Sequence, residues 1–157
     1  MKKTKALVQA AFIAAIYVLL SFISRIFNLD SGVIQVRLSE ALCVLPCFLP
    51  SSITGLTLGC FIFNFLSGGT LPDILFGSLA TFIGAFFTRK LKNRRYLSLL
   101  PPILSNAIIV PLVLKFSYGI PGNVFYFALT IGLGEIISVG LFGSLFRAGL
   151  EKSDIKF

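Results

Sequence analysis

The chain has no histidine and only six acidic residues among its 157. These two shortages exclude a good deal. No Gly-x-x-x-x-Gly-Lys-Ser/Thr run is present, so nucleotide binding and hydrolysis by a phosphate-binding loop is not expected. There is no serine-centred nucleophile elbow, and no pair of carboxylates in one short motif for acid–base work. An enzyme is a poor reading. The three cysteines, Cys43, Cys47 and Cys60, fall in apolar segments. With no histidine beside them they fall short of a four-ligand metal site, and small buried hydrophobes is the preferred role. No internal repeat of about 20–50 residues is visible, so a carrier built from inverted repeats is not supported.

Charge is scarce as well. Charged residues make up 13% of the chain against 56% hydrophobic, and the mean hydropathy is +0.94. A soluble domain has about 25% charge and about 45–50% apolar residues. The excess implies lipid-facing surface. At roughly 20 residues per span, the chain has room for six or seven membrane helices and short loops, and none for a separate soluble domain. The expected fold is an all-α membrane protein in one integral domain, 1–157. Its helices are placed at about 6–27, 39–49, 53–66, 72–87, 97–116 and 123–146. The first apolar run exceeds the core of a signal peptide, about 7–15 residues, so it reads as a retained helix. The second is the weakest: bounded by Pro46 and Pro50, its residues reach only about 16 Å as an α-helix, and segments two and three are alternatively a re-entrant hairpin.

The net charge of +8 reflects topology rather than nucleic-acid binding. Lys2, Lys3, Lys5, Arg89, Lys90, Lys92, Arg94, Arg95, Arg147, Lys152 and Lys156 fall on one side. Arg25, Arg37 and Lys115 fall on the other. The positive-inside rule then places both termini in the cytoplasm.

Polar residues inside apolar spans are the informative positions. Glu135 stands near mid-membrane, where an ionised carboxylate costs at least about 2.5–3.5 kcal/mol. Either a ligand or pathway role, or pairing with another polar group, compensates for it. Glu40 opens the second segment, where it is cheaper to hold. Asn64 and Asn106 bridge helices or contact a ligand. Tyr126 stacks on a ring or anchors at the interface. Asp73 reads as a helix-start residue. Before Glu40, Ile34, Val36 and Leu38 alternate with Gln35, Arg37 and Ser39, which predicts an extended segment with one polar face. That segment, 33–38, is either a lid or an interfacial loop. Gln35, Arg37, Glu40, Asn64, Asn106 and Tyr126 would share the outer half of the membrane, with Glu135 as the floor of a polar pocket open to the outside. In helix 1, Ala10 and Ala14, and likewise Ala11 and Ala15, are spaced by four, which lets another helix approach closely. That helix belongs to this chain or to another subunit.

Several stretches carry a family resemblance: Gln35 to Leu42, Gly55 to Asn64, Asp73 to Thr81, Leu100-Pro101-Pro102 and Gly132-Leu133-Gly134-Glu135. Through them the chain resembles the substrate-binding S components of energy-coupling factor (ECF) transporters, and more narrowly the QueT-like queuosine-precursor group. The likeness runs in order over nearly the whole chain. It implies a six-helix S-component bundle in the bacterial plasma membrane, with loop 1 as an external lid and a site facing outside. It implies docking through Ala10, Ala11, Ala14 and Ala15 to the coupling subunit EcfT. Two partner ATPases would consume ATP, this chain holding no cofactor. The implied ligand is a 7-deazaguanine: preQ1, preQ0 or queuine. The alternatives are an S component for another vitamin or amino acid, a small proton-coupled exporter of cationic compounds using Glu135, or an assembly subunit without ligand.

Overall fold

The computed structural model describes residues 2–30 and 34–153. Val33 of the expected lid and Lys156 of the basic set lie outside the described residues. Helix α1, Lys2–Ile26, is followed by a 3-10 helix, Leu38–Cys47. Then come α2 (Ser51–Leu66), α3 (Leu71–Lys90), a short 3-10 turn (Leu97–Leu99) and α4 (Leu100–Phe116). The last helix is continuous from Val124 to Lys152. It is wound as α5 (Val124–Glu135), a π segment (Ile136–Gly143) and α6 (Ser144–Lys152). The described residues contain no strand. Among the described residues four helices are long and apolar enough to cross a membrane: Lys3–Ile26, Leu71–Lys90, Leu97–Phe116 and Val124–Lys152. Leu38–Cys47 and Ser51–Leu66 are shorter apolar helices.

The segment expected as an α-helix over 39–49 is instead the 3-10 helix. It contains Pro46, which has no N–H to donate. Packing makes up for its poorer internal bonding. Ser39, Glu40, Leu42, Cys43, Val44, Leu45 and Pro46 are all buried, so this helix runs through the core with other helices around it. Consecutive long helices pack in chain order, α1 on α2, α2 on α3, α3 on α4 and α4 on α5, while the 3-10 helix touches α1, α3 and the π segment. Outward faces are rich in large exposed apolar side chains, such as Phe12, Leu19, Phe65, Leu71, Phe116 and Phe125. In water such a surface would not stay dispersed; in lipid it is the expected solution.

One face of α1 carries Ala10, Ala14, Tyr17, Ser21 and Ser24, all buried, at spacings of three and four. This face meets α2 at two glycines. A Cβ on Gly55 would lie 2.7 Å from the Ala10 carbonyl oxygen, and one on Gly59 would lie 2.7 Å from the Tyr17 Cβ. Small residues on both helices therefore let the backbones touch. The expectation that all four alanines face a partner is corrected on this point. Ala10 and Ala14 are buried within the chain, and only Ala11 and Ala15 are exposed.

The basic residues of the 89–95 stretch and Arg147 gather at one end of the bundle. Arg147 is only 7% exposed. It pairs with Glu151 at 2.8 Å and donates to Ser98 Oγ at 2.7 Å, to the Arg95 carbonyl at 3.0 Å and to the Lys92 carbonyl at 3.4 Å. Arg89 donates to the carbonyls of Pro46 and Cys47 at 3.1 and 3.0 Å, which satisfies the last turn of the 3-10 helix. The opposite end is tied by Tyr118, which donates to Asp73 Oδ2 at 2.8 Å, and by Thr70 and Ser117, whose hydroxyls pair at 2.6 Å. Partial burial, and then the Asp73 carboxylate, push the Tyr118 phenol above its ordinary pKa.

Candidate functional site

The first turn of the 3-10 helix delivers Glu40 to the centre of the bundle, where it is 1% exposed. The expectation of a cheaply held residue at a segment end is overturned here: the segment enters the core at once, because its backbone is drawn inward at Arg37 and Leu38. Arg37 is extended, with φ −111° and ψ 110°, as the alternating pattern predicts. Its N–H donates to Ser138 Oγ at 3.0 Å, and the next N–H, of Leu38, donates to Ser24 Oγ at 2.9 Å. Each serine also donates to its own helix, Ser24 to the Leu20 carbonyl and Ser138 to the Gly134 carbonyl. Each hydroxyl thus both accepts and donates, and the two pin the segment between the first and last helices. Two residues before Arg37 the Gln35 backbone lies directly on Gly134, so closely that no Cβ fits there. The 34–38 segment is therefore pressed onto the helix that carries Glu135.

Glu40 is well supplied with donors. Tyr17 donates to Oε1 at 2.5 Å. The Cys43 thiol, one turn on, donates to Oε2 at 3.1 Å, so Cys43 is more than a small hydrophobe. Asn106 Nδ2 donates to the same Oε2 at 3.5 Å and to Glu135 Oε1 at 2.9 Å. One amide thus bridges two buried carboxylates, with Asn106 and Glu135 each 5% exposed. Glu135 Oε2 is buried and has no hydrogen-bond partner among the described residues, and neither has the buried hydroxyl of Ser39. Arg37 is half-buried above this cluster. Burial works to lower its pKa, but the acidic groups around it, Tyr17, Cys60, Glu40 and Glu135, outweigh burial and raise it, so the guanidinium stays charged. The result is a small, buried, strongly polar centre in an otherwise apolar bundle. It can accept hydrogen bonds and balance positive charge.

The other expected residues are placed differently. Asn64 is buried one turn beyond Cys60; it donates to Cys60 Sγ at 3.7 Å and to the Asp73 carbonyl at 3.4 Å, bridging α2 and α3 beside the cluster rather than within it. Tyr126 stands apart, 51% exposed and edge-on to Phe127. Gln35 meets the site through its backbone. Tyr17 and Ser138 are site residues that sequence reading passed over. Their signals were present: Tyr17 continues the helical spacing of Ala10 and Ala14, and Ser138 lies one turn after Glu135. Alongside the bundle, α1 and α2 leave an apolar groove of about 560 Å³, lined by Ala11, Ala15, Val18, Leu19, Leu58 and Ile62.

The apolar helices and the buried polar centre define a multi-pass helical membrane protein. The model of the QueT transporter family matches residues 7–152, and the chain belongs to that family, which is one of transporters and not of enzymes. The chain is also 39% identical, over 85 residues, to the queuosine precursor transporter QueT of Lactococcus lactis subsp. cremoris (strain MG1363). That match covers 53% of this chain and spans half the length of the relative. No solved structure matches.

Proposed function

We propose that the chain is the substrate-binding S component of an ECF-type importer for a queuosine precursor, one of the 7-deazaguanines preQ1, preQ0 or queuine. The observation that carries this reading is the Asn106 bridge between Glu40 and Glu135, seated in the core beneath the pinned 34–38 segment. A guanine-like edge offers adjacent ring N–H and amino donors and a carbonyl acceptor, and a site that combines carboxylates and side-chain amides suits a ligand of that kind. Family membership and the Lactococcus relative support the ligand class.

In this reading all six apolar helices belong to the membrane domain, with both termini cytoplasmic and the 34–38 segment outside. The ligand enters from outside when that segment lifts from Gly134 and Ser138. Gln35, Arg37, Asn64 and Tyr126 complete the contacts once it has closed over the ligand. The chain holds no cofactor. ATP is consumed by two partner ATPases, joined through the coupling subunit EcfT to the exposed Ala11 and Ala15 face of α1.

Mass spectrometry of the small molecule that co-purifies with the chain tests the reading. A 7-deazaguanine in near-stoichiometric amount is expected. A vitamin or amino acid in its place, or no stabilisation by any of the three deazaguanines in a thermal-shift assay, overturns it.

A further inference from the structure

The two buried carboxylates are not equally provided for. Glu40 has three donors: the Tyr17 hydroxyl, the Cys43 thiol and the Asn106 amide. Among the described residues Glu135 has only Asn106, on Oε1, and its other oxygen is buried without a partner. Asn106 has nothing further to give, since the two hydrogens of its amide are already directed at the two carboxylates. Glu40 is thus locked as part of the scaffold, and the unused acceptor of the site belongs to Glu135.

Charge balance points the same way. The titratable and charged groups around Glu135 are Glu40 and Cys43 on the 3-10 helix and Arg37 in the segment above it. Tyr17 on α1 and Cys60 on α2 stand next to Glu40 and Arg37. With the phenol and thiols neutral, two carboxylates face one guanidinium. If both carboxylates are ionised, the cluster carries one uncompensated negative charge inside an apolar bundle. Such a charge is expensive, and it is removed either by a proton or by a cation.

We propose that Glu135 holds one proton when no ligand is bound and exchanges it for a ligand's ammonium group, so that the site selects 7-deazaguanines bearing a protonated amine. This rests on the functional reading above and narrows its ligand class. On binding, the ammonium N–H donates to Glu135 Oε2 and the carboxyl proton leaves to water. No ligand bond breaks, and the net charge of the site is unchanged.

Titration calorimetry of the full chain in detergent, repeated in buffers of different ionisation enthalpy, measures the exchange. With preQ1, which carries an aminomethyl cation, about one proton released per ligand is expected. Affinity should rise by up to tenfold per pH unit while the carboxyl remains protonated in the free protein. With preQ0, whose nitrile is neutral, weaker binding and no proton release are expected. Glu135→Gln, checked for a monodisperse elution profile, should release no proton with preQ1 and lose the preference for preQ1 over preQ0. PreQ1 binding without proton release, or equal release with preQ0, overturns the exchange while leaving the deazaguanine reading intact. Failure of the wild-type chain to bind any deazaguanine overturns both. The wild-type measurements decide the matter even if the variant does not fold.

Discussion

Ser24 on the first helix and Ser138 on the last accept the N–H groups of two consecutive residues, Leu38 and Arg37, at 2.9 and 3.0 Å. Neighbouring amides of one extended strand of chain point in opposite directions, so it takes two helices to receive them. The pair fixes where the chain turns from the connecting segment into the core, and hence where Glu40 enters.

Ser24→Ala and Ser138→Ala should each weaken this pinning. Losing one such hydrogen bond costs about 0.5–1.5 kcal/mol. The expected result is a melting temperature lowered by a few degrees and ligand dissociation faster by several-fold, measured by chase with unlabelled ligand. The double variant should exceed either single one. Dissociation unchanged in all three would show that the segment does not retain the ligand.

The alanines of α1 divide into two classes that one substitution series can separate. Ala10→Leu and Ala14→Leu place bulk against α2, where a side-chain atom on Gly55 already has no room. They should lower thermal stability by about 1–3 kcal/mol from overpacking. Ala11→Leu and Ala15→Leu sit on the exposed face and should leave the melting temperature of the isolated chain within a degree or two. If the coupling subunit docks there, the second pair alone abolishes its co-purification. Undiminished co-purification with both outward variants would place the docking face elsewhere.

Arg147 is expected to behave as a structural residue, although its charge also fits the topological pattern. Arg147→Ala removes donors from Ser98 and from the Arg95 and Lys92 carbonyls, and leaves the partly exposed Glu151 with Arg95, at 3.4 Å, as its remaining ion-pair partner. A loss of about 1–3 kcal/mol follows, chiefly from the buried Ser98 hydroxyl, which loses its donor. Arg147→Lys should recover less than half of it, because an ammonium cannot reach in the several directions of a guanidinium fork. Full rescue by lysine in a thermal denaturation series would show that charge alone matters at this position.

Much of the architecture was legible because lipid enforces a simple rule. Long apolar runs such as those ending at Ile26, Lys90 and Phe116 have little choice but to be helices. The second segment was harder. Its length was recognised as anomalous, but 3-10 winding depends on what surrounds Pro46 and on the Arg89 side chain that satisfies its last carbonyls, and neither is a local property. The candidate site shows the same limit. Glu40, Asn106 and Glu135 announced themselves as polar residues in apolar surroundings. Cys43 and Tyr17 did not, because a thiol and a phenol are ordinary tenants of a helix face until a carboxylate stands opposite. The burial of Ala10 and Ala14 was undecidable from spacing alone, since a small-residue stripe is the same whichever chain supplies the helix facing it.

The 3-10 winding of Leu38–Cys47 has a consequence in sheer distance. At about 2.0 Å per residue its ten residues reach roughly 20 Å, against about 15 Å had they been wound as an α-helix. Near one end stands Glu40, under the donors of Tyr17 and Asn106; at the other, the carbonyls of Pro46 and Cys47 lie under Arg89. A stretch this short thus serves as a strut from the polar centre to the basic rim, and the extra turn-length comes from pitch alone, without adding a residue.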